Sequence, residues 1–205
     1  MNSQPVVVLA PDGAVGAALG DGLASRGLPV LRLASLDDAP DSVGSVVDAG
    51  PVAMPPVVSE LTTLDGDAWR ALAEAPLRRA LHVLQQSHRR LSSGGHIVVL
   101  LPSVVTSGAA GLVPWVAAAE GYRSLLKAAA RGWGRDGITV NCVLMPADLI
   151  AGTSLDRPGL QPPALGRAVD LHSDVAGVVA ALLGGGLSAV TGQTIAADGG
   201  VWMTP

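Results

Sequence analysis

The sequence predicts an α/β protein built on a doubly wound parallel sheet, and three observations lead there. Short apolar runs alternate along the chain with Ala/Gly/Leu-rich helical segments, which is the order a parallel sheet with crossover helices requires. The run His96-Ile-Val-Val-Leu-Leu101 is apolar without alternation, as a strand covered on both faces must be. Composition is the third: of 205 residues 49% are hydrophobic and 15% charged, yet only 2% are aromatic and none is Phe. A core filled by Val, Leu, Ala and Gly needs thin elements at close approach, and a sheet under Ala-rich helices provides them. A compact domain of this length buries roughly 70% of the surface of its unfolded chain, so residues 1–205 are read as a single domain.

The elements follow in order. Pro5-Val-Val-Val-Leu-Ala10 reads as a strand, Pro11-Asp12-Gly13 as its turn, and the segment closing at Arg26-Gly27 as a helix with a glycine stop. Pro29 to Leu33 is a second strand. Asp37, Asp38, Pro40 and Asp41 form an acidic turn into a third at Val43 to Val47, with no room for a helix between them. From Leu64 to Leu91 the period becomes helical. Pro76 sits in the middle, where a ring without an N–H breaks a continuous helix or begins a new one at its first position, so two successive helices are expected. In the second, Leu77, Ala80, Leu81 and Leu84 share one face, with Arg78, Arg79, Gln85 and Arg89 on the other.

After the 96–101 strand, Trp115 to Arg131 is a helix whose charges, Glu120, Arg123, Lys127 and Arg131, occupy one narrow stripe. Its apolar arc exceeds the ~100° that one core face takes up. That width predicts two neighbours, the sheet and another subunit. Gly137 to Leu144 is a further strand, Pro146 to Pro163 a Pro/Gly-rich loop, Ser173-Asp174 the cap of a helix through Leu183, and Thr191 to Ile195 the last strand.

Charge and cysteine usage exclude several classes. The formal net charge is −4 and no Lys/Arg run exceeds two residues, so no basic stripe exists for nucleic acid. Cys142 is the one cysteine and the four histidines are scattered, which argues against a disulfide framework and a cysteine metal cluster. The uncharged stretches are interrupted by Pro, Gly, Ser and Thr, so no continuously apolar run approaches the ~20 residues of a membrane span, and the expectation is a soluble, cytoplasmic protein.

Three places merit chemistry. Gly13 and Gly16 stand in the first strand-turn-helix, where a glycine-rich turn brings backbone toward a pyrophosphate; with Ala10 or Pro11 where a first glycine belongs, they equally read as glycines tightening a turn. Asp37 and Asp38 are placed to bind an adenosine ribose or to serve only as turn carboxylates, and the turn role is preferred. Ser103 follows the apolar strand, at the end where open α/β sheets bind ligands. No His/Asp pair stands at nucleophile-elbow spacing, which leaves Ser-His-Asp hydrolysis without support.

Over nearly its whole length the chain resembles the short-chain dehydrogenase/reductase family, a single-domain Rossmann-like fold. The matches are the strand from His96 to Val105, Gly137-Ile-Thr-Val-Asn141, and Thr191-Gly-Gln-Thr with Asp198-Gly199-Gly200. Between the second strand and Val47-Asp48-Ala49-Gly50, which stands for the family's NNAG, the chain is shorter by about one β-α unit. The first-turn motif TGxxxGxG is eroded to Leu9-Ala-Pro-Asp-Gly-Ala-Val-Gly16.

The resemblance implies hydride transfer with NAD or NADP, in which a tyrosine moves the proton, a lysine four residues on lowers its pKa, a serine orients the carbonyl and an asparagine supports the lysine. Carried over residue by residue, Trp115 takes the tyrosine position, Ala119 the lysine position and Pro76 the asparagine position, and Ser103 is retained. An indole N–H donates a hydrogen bond but is far too weak an acid to exchange protons near neutral pH. Tyr122 lies two helical turns beyond Trp115, about 10 Å by rise, and is read as a packing residue. The expectation is therefore a catalytically degenerate subunit that assembles with an active homologue or with itself, through helix 115–131 and the C-terminal strand. A rearranged NAD(P)-dependent oxidoreductase and a non-catalytic nucleotide or ligand sensor are the alternatives.

Overall fold

In a computed structural model, residues 4–11, 13–52, 56–151 and 162–203 are described. Six parallel strands form one sheet in the order 2-1-3-4-5-6: β1 (Val6–Leu9), β2 (Val30–Leu33), β3 (Val43–Asp48), β4 (Leu91–Pro102), β5 (Thr139–Met145) and β6 (Thr194–Ala196). The helices are α1 (Ala14–Ala24), α2 (Gly66–Trp69), α3 (Ala75–Arg90), α4 (Val113–Trp133), α5 (Asp148–Ala151) and α6 (Ala176–Leu183).

The two-residue period of the strands divides the core in two. Val98 and Leu100 of β4 and Val143 and Met145 of β5 join Leu19 and Leu23 of α1 and Val179 and Leu182 of α6 on one face. Ile97, Val99 and Leu101, with Val140, Cys142 and Leu144, join Leu84 of α3 and Tyr122, Leu126 and Ala129 of α4 on the other. Small residues set the spacing. At Gly22 an added Cβ would stand 2.4 Å from the His172 carbonyl oxygen and 2.7 Å from Ala176 Cβ, so α1 lies directly against the start of α6.

The shortened region is visible as a crossover from β2 to β3 over residues 34–42, passing β1 without an α-helix. A single helical turn at Leu36–Asp38 replaces it. Leu36, 3% exposed, covers Val7, Leu9, Val43 and Val46 together with Val83 of α3.

Three sequence expectations need correction. The two helices expected around Pro76 form one continuous rod, in which α2 passes through a π-helical segment at Arg70–Glu74 into α3. The wide turn lets the Ala75 N–H reach the Arg70 carbonyl and seats Pro76 in the first turn of α3, where its missing N–H breaks no ladder bond. The second neighbour of the 115–131 helix lies in the same chain: Leu77 of α3 would be 3.0 Å from a Cβ at Gly121, and Ala80 and Leu84 pack with Leu126. The cap before α6 is Asp170, whose side chain accepts from the Ser173 N–H (2.7 Å), while Asp174 accepts from the Asp170 N–H (3.0 Å). Most of the Pro146 to Pro163 loop, residues 152–161, lies outside the described residues.

The C-terminal signature works as a clamp on β5. Asn141 donates to the Val190 carbonyl (2.8 Å) and accepts from the Gln193 N–H (3.0 Å), and Thr191 Oγ1 accepts from the Val140 N–H (3.1 Å). Asp198, 2% exposed, accepts from the Gly200 and Trp202 N–H groups at 3.0 and 3.1 Å. Gly22→Ala is expected to destabilise the fold by about 1–3 kcal/mol through overpacking, read by urea denaturation, although alanine is the better helix former. Unchanged or increased stability would contradict the close α1–α6 contact.

Candidate functional site

The strand order reverses between β1 and β3, and open parallel sheets bind ligands at the carboxyl ends of the strands flanking that reversal. Here those ends are Leu9-Ala10-Pro11 and Asp48-Ala49-Gly50. A cavity of about 550 Å³ opens beside them, and its wall includes Pro11, Ala34, Gly50, Pro51, Pro56, Val57, Leu72, Ala75 and Pro76. Trp115, Ala118, Ala119 and Tyr122 of α4 form another side, their three- and four-residue spacing placing them on one helical face.

Asp48 is the anchor. It ends an otherwise uncharged strand and is 0% exposed, and a carboxylate so buried must be paired. Its oxygens accept from the Gly50 N–H (2.9 Å), from Arg79 Nη1 and Nη2 (3.0 and 2.9 Å) and from the Tyr122 hydroxyl (2.9 Å). The planar guanidinium makes the bidentate geometry that a lysine cannot. It lies across Gly50, where an added Cβ would stand 2.2 Å from Arg79 Nη2.

These bonds fix the acid–base behaviour of the cavity. Burial works against charge on Arg79, and its hydrogen bonds to Asp48 and the carboxylate's attraction outweigh it, leaving the guanidinium more basic than usual. Burial pushes the Tyr122 phenol well above its ordinary range, and the adjacent Asp48 carboxylate raises it further. Both ionisable groups on the cavity wall thus hold their protons at neutral pH, and Trp115 has none to exchange. A general acid or base needs a pKa near the operating pH, and its loss alone removes roughly 10²–10⁴ in rate.

The sequence-singled residues divide. Pro76, Trp115 and Ala119 come together on the walls of this cavity although they stand on two helices. Ser103 does not line it: the residue is 3% exposed and opens the helical turn Ser103–Ser107 after β4. Gly13 and Gly16 border a separate hollow of about 300 Å³, with Ala10, Pro11, Arg32 and Ala34. Gly16 has a packing role there, since an added Cβ would stand 2.6 Å from Ala10 Cβ. Asp37 is held within its own turn, its N–H donating to Ser35 Oγ (3.1 Å) and Oδ2 accepting from the same hydroxyl (3.0 Å).

The fit to a nicotinamide dinucleotide is uneven. The smaller hollow combines Arg32 with the uncapped start of α1 at Gly13, where N–H groups and the helix dipole favour phosphate. The larger cavity does not fit the nicotinamide half, whose ribose hydroxyls and carboxamide need polar partners. Its side chains offer donors, from Arg79 and the Trp115 indole, but no acceptor for the ribose hydroxyls or the carboxamide N–H groups, and the Tyr122 hydroxyl is engaged with Asp48. Among the described residues no group of three or more His, Cys, Asp or Glu is placed to hold a metal.

Sequence reasoning missed the Asp48–Arg79–Tyr122 cluster. Arg79 was expected on the solvent face of its helix and instead turns inward to Asp48; Tyr122 is a core residue as expected, but its hydroxyl is engaged as well. A lone carboxylate ending a buried strand was the available signal.

Comparison with known proteins agrees with this fold. The enoyl-(acyl carrier protein) reductase family model matches residues 42–202. A tropinone reductase homologue of Arabidopsis thaliana is 31% identical over 153 residues, which are 67% of this chain and 56% of that relative, so the chain spans just over half the length of the curated relative it matches. Among solved structures, a short-chain dehydrogenase/reductase mutant from Serratia marcescens superposes with a TM-score of 0.79 at 21% identity, covering 97% of this chain and 98% of that one. One from Mycobacterium ulcerans gives 0.79 at 19%, covering 97% and 90%. A blue fluorescent protein from a metagenomic library, solved with NADPH, gives 0.77 at 20%, covering 98% and 99%. At these identities the structures speak for the fold. The chain belongs to the short-chain dehydrogenase/reductase family; the Arabidopsis relative is named as a reductase homologue and the Serratia and Mycobacterium structures as dehydrogenase/reductases.

Arg79→Met should destabilise the protein by about 3 kcal/mol or more, because Asp48 stays buried without its cation. Tyr122→Phe, which removes one of four hydrogen bonds, should cost about 2 kcal/mol. Chemical denaturation of both variants checks the order, and a larger loss in Tyr122→Phe would contradict it.

Proposed function

We propose that this chain is a catalytically degenerate member of its family, a cytoplasmic subunit that keeps the fold and acts by assembling with an active homologue or with a second copy of itself. One observation supports the reading: Trp115, Ala119 and Pro76, which the resemblance assigns to the family's phenol, ammonium and amide positions, line one cavity at the strand reversal. Its own phenol, Tyr122, is locked to a buried carboxylate. No described helix is long and apolar enough to cross a membrane, and the single thiol, Cys142, is buried, with burial pushing its pKa up to about 12; both sit comfortably with a cytoplasmic subunit.

The assembly surface we propose is the outer side of α3 and α4, continued by the edge strand β6. Leu81 of α3 is 45% exposed one turn beyond Leu77, the residue that leans on Gly121 of α4. Ser124 and Ala128 of α4 are exposed as well, and small side chains there let another helix approach closely. A two-fold pairing of this face would bury Leu81 against its own copy or its counterpart in a homologue.

The smaller hollow beside Gly13 and Arg32 favours a second reading, in which the chain binds a phosphate-bearing nucleotide such as NAD or NADP without reacting. Light scattering should give a mass of at least two chains, and Leu81→Glu should reduce it to one. A strict monomer, both alone and mixed with an intact family member from the same source, would overturn the assembly reading. With NADH or NADPH and a panel of ketones no turnover is expected; turnover that Ser103→Ala abolishes would establish a rearranged oxidoreductase instead.

A further inference from the structure

The larger cavity has the size and lining of a small-molecule site, in the range of 300–1,000 Å³ with few polar groups. We propose that it binds an uncharged, mainly apolar molecule carrying one hydrogen-bond acceptor, held against Trp115 and the outer edge of Arg79, and that it releases this molecule unchanged. The inference rests on the non-catalytic reading only for the last clause.

The polar inventory decides the ligand class. Arg79 has five N–H donors and gives two of them to Asp48; among the described residues the other three have no partner, and its side chain remains 40% exposed at the cavity. The indole N–H of Trp115 likewise has no hydrogen-bond partner among the described residues, and the ring is only partly buried. Donors are thus in surplus. The wall's one phenolic oxygen spends its proton on Asp48, and Ala71, Leu72, Ala75, Pro76, Ala118 and Ala119 offer nothing polar from their side chains. A ligand must bring an acceptor to leave these donors satisfied.

Charge points to a neutral acceptor. The Arg79 cation is already paired bidentately with a carboxylate that is 0% exposed. A second anion on the outer edge of the guanidinium would meet the field of Asp48 across a few ångströms of apolar surroundings, and would lose its hydration without gaining an uncompensated positive charge. A carbonyl or ether oxygen has no such penalty. Trp115 then supplies a flat apolar surface, and the neighbouring alanines and prolines leave room for a ring system against it.

The probe is 6-propionyl-2-dimethylaminonaphthalene, an uncharged naphthyl ketone whose emission moves to the blue in apolar surroundings. Saturable binding with such a shift is expected for the wild-type protein. Ala75→Phe, at an exposed position on the cavity wall, should weaken it at least tenfold by filling the space, and Trp115→Ala should do the same by removing the stacking surface. Circular dichroism and thermal melts establish that both variants are folded. The anionic 8-anilinonaphthalene-1-sulfonate should compete poorly. Absence of saturable binding, equal affinity in both variants, or preference for the anionic dye would overturn the proposal, and the second result would place the dye on the exposed Val58 and Leu61 instead. Displacement of the dye by NADPH would also overturn it. If the ketone binds as expected but is reduced when NADPH is added, the binding site stands and the non-catalytic reading fails.

Discussion

Everything around the strand reversal depends on one buried carboxylate. Asp48 has no access to water, so it is tolerable only while Gly50, Arg79 and Tyr122 all donate to it. That requirement draws α3 and α4 together over the end of β3, keeps position 50 without a side chain, and fixes the phenol of α4 in a role that gives away its proton to a structural bond. In a site built for proton transfer the phenol would face the ligand and its pKa would be lowered by a neighbouring cation. Here its nearest charged partner is an anion, which moves it the other way.

The same arrangement sets the character of the cavity. Ala118, Ala119, Trp115 and Pro76 line it, and the charge of Arg79 is paired from inside the protein by Asp48. What is left is a hollow with apolar walls and surplus donors, placed where the sheet has always offered ligands a seat.

Much of this was legible in the sequence because the strands obey a period of two and the long helix a period near 3.6. The continuous run 96–101 and the lack of room for a helix between Leu33 and Val43 follow from side-chain pattern and spacing, the signature at Thr191 to Thr194 from the family resemblance, and the hydrogen bonds that clamp it to β5 from the structure alone. Pro76, Trp115 and Ala119, far apart in the chain, line one cavity. What the pattern could not supply is direction within a helix. Arg79 sits among residues of an outward face, and only the wide turn at 70–74 and the bare backbone at Gly50 let it reach inward. The apolar arc of α4 was likewise visible, but amphipathicity does not say whether the covering neighbour belongs to the same chain. Ser103 stands at a strand end where open sheets bind ligands, and the pattern does not show that the chain turns there so that the residue is covered.

Tyr122 is the chain's one tyrosine, so its ionisation can be followed directly by the ultraviolet absorbance of the phenolate. On this account the folded protein shows no phenolate through neutral pH and beyond the ordinary range of tyrosine near 10, and the signal rises only as alkaline unfolding releases the ring. Because the folded state holds this proton more tightly than the unfolded one, stability also declines as pH climbs above 10. A reversible titration of the folded protein near pH 7 would show instead that the cavity contains a working acid, and the non-catalytic account would be wrong.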